Sequence, residues 1–161
     1  MRNNFFYILI IFFMFLQNVL LAEDLEINSS KVNLDKDSKI MIFEGNVSAN
    51  DEKDNIITAN YATYNKNIDT IKTKGKTKII TSQGFQVFSS DVTFDNKKKI
   101  IFSKNKTEII DKDGNQINVE MFRYMVDRSI FFSKGKVQVL DINNNIYNFS
   151  EIYVDEKKNK M

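Results

Sequence analysis

The chain of 161 residues has no cysteine, no histidine, no tryptophan and no proline, and only five glycines. Without cysteine it can form no disulfide and perform no thiol chemistry. Without cysteine and histidine together, the usual transition-metal sites, the Ser-His-Asp triad and Cys-His nucleophile pairs are excluded. A large excess of one charge is also missing: 23 Lys and Arg stand against 21 Asp and Glu, a formal net charge of +2. That near balance argues against general nucleic-acid binding, which depends on neutralising phosphates with a cationic surface. Helical hydrophobic stripes are scarce as well. The composition bounds the protein to non-thiol, non-imidazole work, in which carboxylates remain as acid-base groups beside lysine and tyrosine.

A thirty-residue period dominates what is present. Gly45, Gly75, Asn105 and Gly135 each open a similar phrase, Gly45-Asn46-Val47, Gly75-Lys76-Thr77, Asn105-Lys106-Thr107 and Gly135-Lys136-Val137. Other columns follow, such as Val32, Ala62, Val92, Phe122 and Ile152, or Met41, Ile71, Ile101, Phe131 and Met161. Self-similarity at this spacing marks units that bury an apolar face only by stacking on their neighbours.

Inside the unit the hydrophobic period is two. From Ile71 to Ile79, Lys72, Lys74, Lys76 and Lys78 share one face, and Ile71, Thr73, Thr77 and Ile79 the other. That alternation predicts strands. Polar clusters at Asn50 to Asn55, Ser82 to Gly84, Asp111 to Asn115 and Asp141 to Asn145 predict hairpin turns between them. The recurring glycine falls inside an alternating run, where it predicts a bulge or bend with positive φ. Asn105, the non-glycine residue that best tolerates a left-handed backbone, is expected to share that conformation. Each unit then holds two strand passes.

The N-terminus starts with Arg2, runs through apolar Phe5 to Leu16 and reaches Ala22 just before Glu23 and Asp24. Residues 1–22 read as a secretory signal peptide. A retained membrane anchor is the alternative, since Phe5 to Ala22 is interrupted only by Gln17 and Asn18. Removing 22 residues from 161 leaves 139, a single-domain length, with 22 basic and 21 acidic residues.

Candidate chemistry is sparse. Asp111-Lys112-Asp113-Gly114-Asn115 has the opening of a calcium loop but lacks its closing glutamate, so it reads as a hairpin turn. The lysine row reads as a solvated strand face. No residue is assigned a catalytic role, and no metal or cofactor is expected. Tyr61, Phe85 and Tyr153 are the candidate exposed aromatics for an alternative function, a secreted repeat module that binds polysaccharide or protein without a lipid groove.

The phrase Phe43-Glu44-Gly45-Asn46-Val47, preceded by Lys31-Val32-Asn33-Leu34-Asp35 and followed by Ala59-Asn60-Tyr61-Ala62-Thr63-Tyr64, resembles the repeated pattern of the OstA-like domain. This domain family occurs in LptA, LptC and the N-terminus of LptD, and the likeness covers residues 25 to 161. The phrase around Asp91-Val92-Thr93-Phe94-Asp95 looks closer to the LptD branch. The resemblance implies an all-β fold, an elongated open jellyroll or V-shaped half-pipe of about five antiparallel units over residues 23–161. It implies a non-catalytic periplasmic protein whose apolar groove carries the acyl chains of lipopolysaccharide. Its partners would be other Lpt-type jellyrolls joined end to end by strand addition, with an LptE-like lipoprotein if the chain belonged to LptD. At the outer membrane it would then form part of a bridge across the envelope.

Under that reading the groove is lined by four sets of repeat positions. One is Met41, Ile71, Ile101 and Phe131; a second is Ala49, Ile79, Ile109 and Val139; a third is Ile57, Val87, Ile117 and Tyr147; the last is Ala59, Val119 and Phe149. Thr77 and Thr107, replacing Val47 and Val137, are expected near the groove's open edge. A closed core gives the same alternation, so the groove itself follows from the resemblance. The fifth unit stops at Met161 before its expected glycine. An edge left for partner pairing and a fragment of a longer LptD-like chain both account for that stop.

Overall fold

The computed structural model describes residues 25–158. The N-terminal apolar segment, with its leader and anchor alternatives, lies outside the described residues. Among the described residues every regular element is a strand, and every pairing is antiparallel.

The 14 strands are the segments of a simple meander. Its passes, in chain order, are β1 (Glu26–Asn28) with β2 (Lys31–Asp35), β3 (Ile40–Asn50), β4 (Ile56–Asn65), and β5 (Thr70–Thr73) with β6 (Lys76–Ile80). Next come β7 (Gln86–Ser90) with β8 (Thr93–Asp95), β9 (Ile100–Ser103) with β10 (Thr107–Ile110), and β11 (Gln116–Val119) with β12 (Phe122–Met125). The last two are β13 (Ile130–Leu140) and β14 (Ile146–Asp155). Each pass bends at its middle, so one half of it lies in a first sheet and the other half in a second. The first sheet runs β2, β3, β4, β5, β8, β9, β12, β13, β14; the second runs β1, β3, β4, β6, β7, β10, β11, β13, β14. The continuous strands β3, β4, β13 and β14 belong to both.

The recurring glycines sit at this bend, along the apex of the V. Gly45, Gly75 and Gly135 have φ of 73°, 75° and 114°, the left-handed region that L side chains resist. At Gly45 and Gly135 the ladder slips its register, between Glu44 and Val47 and between Lys134 and Val137, so the bend is a β-bulge. Asn105 departs from expectation: it lies at the bend but is not left-handed. Its place there is set by its side chain, whose amide donates to Ser90 O, Ser90 Oγ and Asp91 Oδ2 at 3.0–3.1 Å. Asp91, on the neighbouring pass, takes the left-handed conformation instead, with φ of 49°.

The sheets' outer rims are rows of tight turns. On the second-sheet rim the expected hairpins fall at 51–55, 81–85, 111–115 and 141–145, with Asp54, Gly84, Gly114 and Asn144 left-handed. The carboxylates of Asp51, Asp111 and Asp141 each accept hydrogen bonds from the Asn four residues on, through its backbone N–H and its amide. Turn 111–115 is thus closed by its own polar groups, as a hairpin. The first-sheet rim carries turns at 36–39, 66–69, 96–99 and 126–129, ending in left-handed Lys39, Asp69, Lys99 and Ser129. Glycine-free, these turns were not predicted from the sequence, although the Asp35, Asn65 and Asp95 side chains accept hydrogen bonds from turn N–H groups in three of them.

Between the sheets lies one apolar cluster. Phe131 stacks on Tyr124 with ring centroids 4.4 Å apart and meets Phe85 at 5.9 Å and Phe122 at 6.3 Å. These rings, with Ile71, Ile101, Ile109 and Ile117, are 0–2 % exposed.

Candidate functional site

The expected lining positions all point inward, and the structure sorts them by place. Ala49, Ile57, Ile71, Ile79, Val87, Ile101, Ile109, Ile117, Val119, Phe131 and Val139 are buried at 0–4 % exposure in the cluster between the sheets. Met41 and Ala59 are half-buried. Tyr147 and Phe149 are 46 % and 48 % exposed, although they pair with buried Val139 and Val137 and so share the inward face. In the middle of the V the lining is therefore packed against the facing sheet, and at the β14 end it is uncovered.

The opposite end has a matching feature that the sequence reading missed. Val32 and Leu34 on β2 pair with Phe43 and Met41, share their inward face, and are 53 % and 57 % exposed. Val32 and Leu34 stand two repeat periods before buried Val92 and Phe94, which is the available signal that they face inward. Only end position distinguishes them. Among the described residues neither β2 nor β14 has a strand on its outer side. At the β14 end Val139, Tyr147, Phe149, Ile152 and Tyr153 border a concavity of about 530 Å³.

Polar groups are concentrated at the apex and rims. Thr77 and Thr107 lie at the apex, the closed edge of the V, where their burial is compensated by hydroxyl partners: Thr73 Oγ1 lies 2.7 Å from Thr77 Oγ1, and Ser89 Oγ 2.8 Å from Thr107 Oγ1. The open edge first expected for them is not where they are. Phe85 is likewise not an outer aromatic; it is 1 % exposed and packs on Phe131.

Across the mouth of the V the two rims are joined by side chains. Lys53 on turn 51–55 pairs with Asp127 on turn 126–129, and Glu52 with Lys99 on turn 96–99 at 3.1 Å. The hydrogen bond from Lys53 holds the Asp127 carboxyl below its ordinary value. Deeper in, Glu156 is 2 % exposed and accepts hydrogen bonds from Thr81 of the second-sheet rim and Tyr124 of β12, both at 2.6 Å. Burial pushes its carboxyl above the ordinary value, against the opposing effect of those two hydroxyls. The described residues contain no cluster of acidic groups suited to a metal ion.

A bent antiparallel meander with a packed interior and two uncovered inward faces at opposite ends defines an open-ended β-jellyroll. A family model described as "Lipopolysaccharide-assembly, LptC-related" matches residues 9–109, more than half of the chain. The chain belongs to this lipopolysaccharide-assembly family, and its work is non-catalytic lipopolysaccharide transport. Among solved structures it is similar to LptH from Pseudomonas aeruginosa, the LptA-homologous periplasmic component of that organism's lipopolysaccharide transport device. The likeness has a TM-score of 0.61 at 15% identity, covering 79% of this chain and 94% of that one, and it establishes the jellyroll fold. No curated protein matches the chain. Neither finding names the LptD branch that the sequence phrase suggested.

Proposed function

We propose that the chain carries lipopolysaccharide acyl chains on the inward faces of its two sheets and hands them along a row of jellyrolls joined end to end across the periplasm. The observation that carries this reading is the pair of uncovered ends. Tyr147 and Phe149 at one end, and Val32 and Leu34 at the other, extend the apolar interior past the last covering strand. A second jellyroll adding a strand to β14 or β2 would continue both the hydrogen-bond ladder and the apolar face. The buried columns through Ile71, Ile109 and Phe131 would then be the middle of one path.

The partners under this reading are lipopolysaccharide and other Lpt-type jellyrolls. The LptE-like lipoprotein follows only from the LptD alternative, which the LptC-related match does not favour. A carbohydrate-binding module needs a row of outer aromatic residues, and burial of Phe85 removes one of its three candidates. The test is binding of purified lipopolysaccharide to the wild type and to a Tyr147→Asp/Phe149→Asp variant. These side chains are half-exposed, so the variant should fold; charged groups on the apolar face should weaken binding about tenfold or more. Equal binding by both proteins would contradict the reading.

A further inference from the structure

The outer side of the second sheet carries charge that an acyl path between the sheets does not use. Strand alternation buries Thr77, Ile79 and Val87 and turns their neighbours outward. Register then lines Thr58, Lys78, Phe88, Glu108, Asn118 and Gln138 into one outer row, about 24 Å long at about 4.8 Å per strand. Beside it, toward the apex, the exposed Lys76, Lys106 and Lys136 stand one repeat apart on every second strand, at intervals of roughly 10 Å. Two concavities of about 700 and 480 Å³ lie along the row and share Phe88 and Lys106. Phe88 is 37 % exposed, and the Lys78 ammonium sits 5.3 Å from its ring centre. Among the described residues none of Lys76, Lys78, Lys106 and Lys136 forms an ion pair.

Those features select a class of ligand. Unpaired ammonium groups attract an anion, the Phe88 ring offers a flat apolar face, and Thr58, Asn60, Ser90 and Asn118 supply hydrogen-bonding groups around them. Duplex DNA, with a charge every ~1.7 Å of its axis, would be repelled by Glu108 and Glu120 on the same face. A flat bilayer would bridge the concavities without filling them. A chain of sugar rings that bears an acid group only at intervals matches both the spacing of the lysines and the uncharged polar stretches between them. We propose that the outer face of the second sheet is a binding groove for a linear acidic glycan, with one sugar ring stacked on Phe88 and acid groups met by Lys76, Lys106 and Lys136. With a single aromatic ring the groove depends on charge, so a neutral glycan is held poorly. The site is separate from the acyl-carrier reading above, because the two faces of a sheet share no side chain.

The probe is a fluorescently labelled hyaluronan oligosaccharide, which has a carboxylate on every other sugar, compared by anisotropy with a neutral maltodextrin of the same length. The wild type should bind hyaluronan at least about tenfold more tightly than maltodextrin, and added salt should weaken that binding. Lys76→Glu/Lys106→Glu and Phe88→Ala change exposed side chains and should fold; each should weaken hyaluronan binding about tenfold or more. Lys72→Glu/Lys74→Glu makes the same charge change on the first-sheet side and should stay within about threefold of the wild type. No hyaluronan binding by the folded wild type, an equal loss in both charge variants, or equal binding of maltodextrin would overturn the groove. Tighter binding to phosphatidylglycerol vesicles or to oligothymidylate would overturn it as well, in favour of a membrane or a nucleic acid. Tyr147→Asp/Phe149→Asp, expected to lose lipopolysaccharide, should bind hyaluronan as the wild type does, so either reading can fail without the other. Loss of hyaluronan binding in that variant would place the site between the sheets and overturn the outer groove.

Discussion

Thr81 Oγ1 lies 2.6 Å from Glu156 Oε1, joining the turn that leaves β6 to the residue that follows β14 across 75 positions of sequence. The same carboxylate accepts from Tyr124, so one buried acid ties the second-sheet rim to the floor of the first sheet. Asp155 raises the Glu156 carboxyl further and Lys157 opposes it, while Tyr124, itself pushed up by burial and Glu156, also faces Asp51. A carboxyl raised by folding binds its proton more tightly in the native state. Its stabilising contribution is complete below its ordinary value of 4.5 and is lost as pH rises through the raised value. Glu156→Gln has no charge to bury, so its stability relative to the wild type should increase from about pH 4 to neutrality. Denaturant unfolding at both pH values checks this; a difference independent of pH would contradict it. Glu156→Ala should instead cost about 1–3 kcal/mol, because two buried hydroxyls lose their acceptor.

Asp127 should behave with the opposite sign. Lys53 lowers its carboxyl, so its contribution is present above the ordinary aspartate value and is lost as pH falls through the lowered one. With both side chains more than a third exposed, a double-mutant cycle between Lys53 and Asp127 should give a coupling of no more than about 1 kcal/mol, diminishing with added salt. A larger, salt-insensitive coupling would contradict a weak, solvent-screened pair.

The apex positions separate two reasons for one repeat column. Gly135→Ala places a Cβ 3.0 Å from Glu120 Oε2 at a φ of 114°, and Gly75→Ala meets no neighbour but remains left-handed. Both should destabilise, by about 1–3 kcal/mol, with Gly135→Ala the more severe. Asn105→Gly should also destabilise, since it deletes the amide that binds Ser90 and Asp91. If Asn105 served only to permit a left-handed backbone, the glycine would stabilise the protein. Thermal unfolding of the three variants distinguishes these accounts.

These same residues show how far the sequence could be read. Alternation from Ile71 to Ile79 located the strands and their buried face, because a two-residue period leaves each side chain one choice of side. The Asp-x-x-x-Asn turns were legible as dense clusters of Asn, Asp and Gly, whereas the turns ending at Lys39, Asp69, Lys99 and Ser129 contain no glycine and interleave lysine or apolar residues with their Asp, Asn and Ser. Asn105 was assigned the right place for the wrong reason, since its amide contacts join positions 14 and 15 residues away. The ion pairs at the mouth were illegible for that cause too: Lys53 and Asp127 are 74 residues apart, and no local pattern links them. Nor could alternation show that Ile109 is covered while Phe149 is open, because both face inward and differ only in whether the other sheet lies above them.

Core and end positions should respond differently to truncation. Phe131→Ala removes a ring packed against Phe85, Phe122 and Tyr124 and should cost about 3–5 kcal/mol. Val32→Ala and Leu34→Ala, each more than half exposed, should change stability by less than about 0.5 kcal/mol while weakening association with a partner jellyroll. Denaturation of each variant, with copurification of partner jellyrolls for the end variants, checks both.

The central claim is most directly tested in the living cell. A photoreactive amino acid placed at Ile109 and at Phe149, on the inward face, and at Lys76, on the outer side of the apex, is irradiated and probed for lipopolysaccharide adducts. The account predicts adducts at Ile109 and Phe149 and none at Lys76. Equal labelling at all three positions, or none at the inward pair in a folded protein, would contradict an acyl-carrying interior.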